Sequence, residues 1–107
     1  MKRANKSSSR SNVNKFEDIP NIGVSLAADL RQLGYKQPSD LAGEDPYQMY
    51  YSLCKITNEK QDPCVLDTFI AAVRYMDGGP KTPWWKFTSE RKRTLAALNA
   101  AKKESAK

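Results

Sequence analysis

Two Asp-Pro dipeptides, Asp45-Pro46 and Asp62-Pro63, constrain this chain more than any other feature. Proline has a preset φ and no N–H, so it suits the first position of a helix, and the aspartate before it suits the cap. Each dipeptide is followed by apolar residues at helical spacing. Met49, Tyr50, Leu53 and Ile56 form the stripe after the first, and Leu66, Phe69, Ile70 and Val73 the stripe after the second. Gln48, three residues after Asp45, completes the pattern of a capping box. Gly78 and Gly79 end the second helix, the most strongly periodic segment of the chain.

The remaining segments keep the same period. Phe16 and Ile19 stand three apart before Pro20, which predicts one helical turn over residues 14 to 19. Leu26, Ala27, Leu30 and Leu33 share a face over residues 24 to 33, and Gly34 follows where a left-handed cap is wanted. Pro38 to Ala42 predicts a third short helix with Leu41 as its core contact. After the aromatic group Trp84, Trp85 and Phe87, a last helical stretch holds Leu95 and Leu98. No run alternates apolar and polar residues, and β-branched residues are sparse, so a sheet has little to be built from. The expectation is an all-α fold of five or six helices in a single domain of 107 residues.

Charge divides the chain into three parts. Residues 1–15 hold five bases and no acid, residues 16–90 carry a net charge of −4, and residues 91–107 carry +5. The basic character therefore belongs to the two ends, and a uniformly basic nucleic-acid clamp is excluded. Residues 1–13, rich in Lys, Arg, Ser and Asn, have too little apolar surface to offset ordering and read as a disordered basic tail. Residues 14–93 read as the folded domain, and residues 94–107 as a helical extension ending in a basic tail.

Several functions are excluded by what is missing. The longest apolar run, Phe69 to Val73, is far short of the roughly 20 residues of a membrane span. The positive N-terminus passes into serines instead of an apolar stretch, which is unlike a secretory signal and predicts a cytoplasmic protein with no membrane partner. Cys54 and Cys64 fit reduced, partly buried thiols better than a redox pair. The chain has no histidine, the commonest general base and zinc ligand. No metal, no cofactor and no enzymatic activity are expected.

The segment Ile19-Pro20-Asn21-Ile22-Gly23, followed by Ala27, resembles a helix-hairpin-helix motif. In that motif a tight turn joins two helices, and a small residue four positions after the final glycine lets them approach closely. Asn21 stands where the motif usually has glycine, and asparagine tolerates the left-handed region. A glycine-type backbone at Gly23 would leave amides uncovered beside a helix start, which is a phosphate site by construction. Ile22 is expected to turn inward as an anchor. The plainer alternative is a turn that only packs two helices together.

Asp40-Leu41-Ala42, Asp62-Pro63-Cys64-Val65-Leu66-Asp67 and Pro83-Trp84-Trp85-Lys86 resemble a small bacterial family, the pathogenicity-locus or mitomycin-resistance-type proteins, over residues 16 to 93. A looser likeness exists to the C-terminal domain of bacterial competence regulators. The resemblance implies a helix-hairpin-helix fold and a DNA-related role without established catalytic residues. The expected function is non-sequence-specific DNA binding through phosphates, with Asn21, Gly23, Val24, Ser25, Lys81, Lys86, Arg91 and Lys92 as contacts. The alternative is a protein-interaction adaptor with no nucleic-acid contact. Trp84 and Trp85 could form an exposed base-stacking platform or a lid over the helical core; the lid is expected, with at most one indole facing solvent.

Overall fold

The computed structural model describes residues 13–105, with side chains as far as residue 100. The expected tail therefore lies outside the described residues except for Val13, and so do the basic side chains at the C-terminal end. Four α-helices are present among the described residues: α1 (Val24–Gln32), α2 (Pro46–Thr57), α3 (Pro63–Met76) and α4 (Thr88–Ser105). Three one-turn 3-10 helices, Phe16–Asp18, Pro38–Leu41 and Trp84–Phe87, connect or precede them, and no strand occurs among the described residues. The fold is all-α, with fewer α-helices than the five or six expected. The short predicted helices are too brief for repeated i→i−4 bonds and settle for the tighter 3-10 turn.

Local chemistry places the helix ends. Asp45 accepts from the Tyr47 amide at 2.9 Å and Asp62 from the Cys64 amide at 3.0 Å, each capping a helix that begins with proline. The reciprocal box expected from Gln48 does not form; Asp45 caps the second amide of α2, and Gln48 is exposed. At the other ends, Gly34, Asn58 and Gly78 take positive φ values of 103°, 56° and 105°. Each allows the paired backbone hydrogen bonds that close a helix with a left-handed residue, as in Gly79 N–H to the Arg74 carbonyl at 2.9 Å. Two of the 3-10 turns start alike. Asp18 accepts from the amides of Asn14 and Lys15, and Asp40 from those of Lys36 and Gln37.

Helix α3 runs through the middle, with Leu66 to Val73 and Met76 buried. It packs against α2, α4 and the turns at Pro38–Leu41 and Trp84–Phe87, while α1 packs beside the Phe16–Asp18 turn. Leu30, Leu41, Leu53 and Phe69 are fully buried in one shared core. On α2 the stripe Met49, Tyr50 and Leu53 is buried as expected, but Ile56 is 49% exposed. The inward position after Leu53 goes instead to Thr57, whose hydroxyl donates to the Leu53 carbonyl at 2.8 Å. Helix α4 crosses residue 94 without a break; Leu95 packs on the core and Leu98 is 42% exposed.

Asp67 lies in the second turn of α3 with no exposure. Arg91 donates to it from Nε at 2.8 Å and from Nη2 at 3.3 Å, and the Thr88 hydroxyl donates at 2.7 Å. The first turn of α4 is thereby fastened to α3. Hydrogen bonding to Asp67 pushes the Arg91 pKa up, so the guanidinium stays charged.

Candidate functional site

Ile19 and Ile22 are both buried, and the two residues between them are driven outward as the tip of a turn. The Ile22 amide donates to the Ile19 carbonyl at 3.1 Å, and Asn21 has φ 75°. Proline at the second position and positive φ at the third are the marks of a type II turn. Gly23, in contrast, has φ −96° and open space around the position a Cβ would take. The left-handed backbone expected at Gly23 therefore sits at Asn21. Gly23 acts as the N-cap of α1 and has no side chain with which to cap it.

The first hydrogen bond of α1 runs from the Ala27 amide to the Gly23 carbonyl at 2.9 Å. Earlier amides have no intrahelical acceptor and carry the positive end of the helix dipole. Gly23, Val24 and Ser25 are exposed, Val24 at 78%, while Ala27 is fully buried.

A contact across 61 residues builds the rest of the site. The Asn21 side-chain amide donates from Nδ2 to the Thr82 carbonyl at 2.8 Å. It ties the Lys81-Thr82-Pro83 strand of chain to the turn, and together they line a cleft of about 640 Å³ that also includes Gly23. Glu17 and Asp18 line the same cleft. Both are already engaged. Glu17 pairs with Arg31 at 3.2 Å, which holds its carboxyl below the usual range, and Asp18 accepts the two backbone amides described above.

Of the expected contact residues, Asn21, Gly23 and Lys81 line this cleft, and Val24 and Ser25 follow at the head of α1. Lys86 is exposed two residues beyond the Trp84 position, with Nζ 5.5 Å from the centre of the Trp85 ring. Lys92 is exposed on α4 and does not line the cleft. Arg91 is a correction: it is turned inward onto Asp67 and is no free cation for phosphate. Its aspartate stands 24 residues earlier, a separation that no local pattern reveals.

The lid expected of the tryptophans is also overturned. Trp84 is 37% exposed and Trp85 58%, and no residue of their 3-10 turn is fully buried. Phe87 packs against the core in their place, with the Arg74 guanidinium 5.7 Å from its ring centre. In a 3-10 turn side chains three residues apart share a face, so Trp84 lies on the side of Phe87 and is the more covered indole, while Trp85 points away from it.

Cys54 on α2 and Cys64 on α3 are free and partly buried, as expected of neighbouring helices. The Cys54 Sγ accepts from the Gln61 amide at 3.4 Å, and burial followed by the Asp62 carboxylate pushes the Cys64 thiol up. A raised pKa works against a reactive thiolate. No helix among the described residues is long and apolar enough to cross a membrane.

The family described as pathogenicity locus matches residues 9–93, a span that contains the turn, the cleft, both tryptophans and Arg91. The chain belongs to the pathogenicity-locus family. The chain is also similar to the mitomycin resistance protein McrB of Streptomyces lavendulae, 38% identical over 78 residues, covering 73% of this chain and 74% of the relative. No solved structure matches the chain.

Proposed function

We propose that this pathogenicity-locus protein is a cytoplasmic DNA-binding protein that holds the phosphate backbone without sequence preference. The amides of Gly23, Val24 and Ser25 cradle one phosphate, with Phe16–Asp18 and α1 serving as the two arms of a helix-hairpin-helix. The observation that carries this reading is the Asn21 to Thr82 hydrogen bond, which brings Lys81 into the cleft beside the uncapped start of α1. Amide donors, a dipole end and an exposed cation on one rim are the components of an anion site. Asn21 is a positioning residue here, since its amide group is occupied by the carbonyl it holds.

The grip is weak by construction, because a charge at a helix start is stabilised by only about 0.3–1 kcal/mol at an exposed site. A footprint of two or three phosphates gives a log–log salt slope of about −2 to −3. The test is a salt-varied titration of duplex DNA with the parent protein and Ser25→Glu. The acid at the second position of α1 suits the helix, so melting is unchanged or slightly raised, while DNA affinity drops at least about threefold. Equal binding by the two proteins removes the head of α1 from the mechanism. The strong exposure of Val24 favours a second reading, a protein partner seated on the same turn, for which duplex affinity is absent even at low salt.

A further inference from the structure

We propose that Trp84 and Trp85 form a stacking platform for unpaired bases, which makes single-stranded DNA the ligand of this surface. This inference rests on the nucleic-acid reading of the adjoining cleft and adds to it the class of substrate.

Indoles bury large apolar areas and in a small domain belong inside. Here both stand at the surface of an element that is itself firmly held. Pro83 presets the chain direction with φ −63°, the Lys86 amide donates to the Pro83 carbonyl at 3.1 Å, and the turn packs on α3 and runs directly into α4. Phe87 anchors it in the core. The tryptophans are thus presented with little backbone freedom left to lose on binding, which favours a preorganised contact.

The charges around the indoles choose the occupant. Lys86 sits over the Trp85 ring, and Lys81 lies on the other side of Pro83 in the cleft. Trp85 is two residues from Pro83, so its Cα is within about 7.6 Å of that cleft lining. An aromatic surface with cations on both sides is the pattern that tracks a single strand, bases on the rings and phosphates on the charges. A second copy of this chain would bring the lysines of both copies together, and like charges at an interface are unfavourable. Duplex bases are already stacked within the helix and cannot lie on an indole unless unpaired.

The chain has only two tryptophans, so its intrinsic fluorescence reports this surface directly. The parent, Trp85→Ala, Trp85→Phe and Trp84→Ala are titrated with a thymidine oligonucleotide, an abasic oligonucleotide of equal length and a duplex, with circular dichroism verifying the fold of each variant. The expected result is saturable quenching by the thymidine oligomer and none by the abasic one. Trp85→Ala should bind about five- to a hundredfold more weakly, with Trp85→Phe in between. Binding of the thymidine oligomer without quenching, equal affinity for the abasic oligomer, or unchanged affinity in Trp85→Ala overturns the platform. So does concentration-dependent self-association that masks the indoles. Salt-sensitive duplex binding without quenching by single strands removes the platform and leaves the phosphate reading standing. Quenching that survives Ser25→Glu undiminished does the reverse, and absence of any DNA binding overturns both.

Discussion

At Asp67 the chain buries a full carboxylate and surrounds it with three donated hydrogen bonds, while at Gly23 to Ser25 it leaves helix donors without acceptors and at Trp84 and Trp85 it leaves indoles 37% and 58% exposed. The two regions resolve opposite problems. A buried charge must be paired and hydrogen-bonded or it opposes folding, so Thr88 and Arg91 are structural residues despite their polarity. Exposed amides are solvated by water and exposed rings contribute little to the core, so folding does not require either. A polar side chain inside and apolar rings outside together separate the scaffold from the surface that meets a partner.

The comparison breaks most sharply at the buried pair. Asp67→Ala leaves Arg91 without its acceptor and should destabilise the protein by about 3–5 kcal/mol in urea denaturation. Asp67→Leu combined with Arg91→Leu should recover much of that loss, because an apolar pair has no charge to leave unpaired. A single variant that melts within about 0.5 kcal/mol of the parent would show that Asp67 does not fasten α4 to α3.

A smaller effect is expected at high pH, also within the scaffold. Tyr50 is buried and donates its hydroxyl to the Gln61 carbonyl, and burial, reinforced by Cys54, pushes its pKa from 10.0 to about 12. The folded value is raised, so this contribution is complete below pH 10 and is lost as pH climbs toward 12. The loss is on the order of 2 kcal/mol. Tyr50→Phe should flatten the decline in stability across that window when melting is followed from pH 9 to 12. An identical decline in the variant would place the alkaline sensitivity elsewhere.

The smallest effects sharpen the contrast between two glycines. Gly34 has φ 103°, so Gly34→Ala should destabilise by about 1–2 kcal/mol even though space is open around it. Gly23 has an ordinary φ, and Gly23→Ser supplies the hydroxyl cap that α1 lacks, raising stability by a few tenths of a kcal/mol. The same hydroxyl competes for the amides proposed to hold phosphate, so DNA affinity should fall as Tm rises. A Gly23→Ser protein that gains both stability and affinity would contradict the proposed use of those amides.

Much of the scaffold is legible along the chain because its signals are local. Asp45 and Asp62 cap helices through amides two residues away, and Gly34 and Gly78 end them through bonds that span a single turn. The apolar stripe of α3 is legible for the same reason. Ile56 misleads because its spacing fits the stripe of α2, but the helix is about to end and the inward place after Leu53 is filled by Thr57. The turn at Pro20 and Asn21 was readable as a tight turn. Which of its residues would carry the left-handed backbone was not, since asparagine and glycine both tolerate it.

The places of the four α-helices, their caps and the outward tip of the turn are determined by the sequence itself, because propensity, capping and periodicity act over three or four residues. Only the tertiary structure decides that Arg91 belongs to Asp67, that Asn21 holds Thr82 from 61 positions away, and that Phe87 takes the core position in preference to either tryptophan. These outcomes depend on which helix faces meet once α3 is enclosed. A cation becomes structural when a buried carboxylate lies within its reach, and an indole remains at the surface when a neighbour fills the space first.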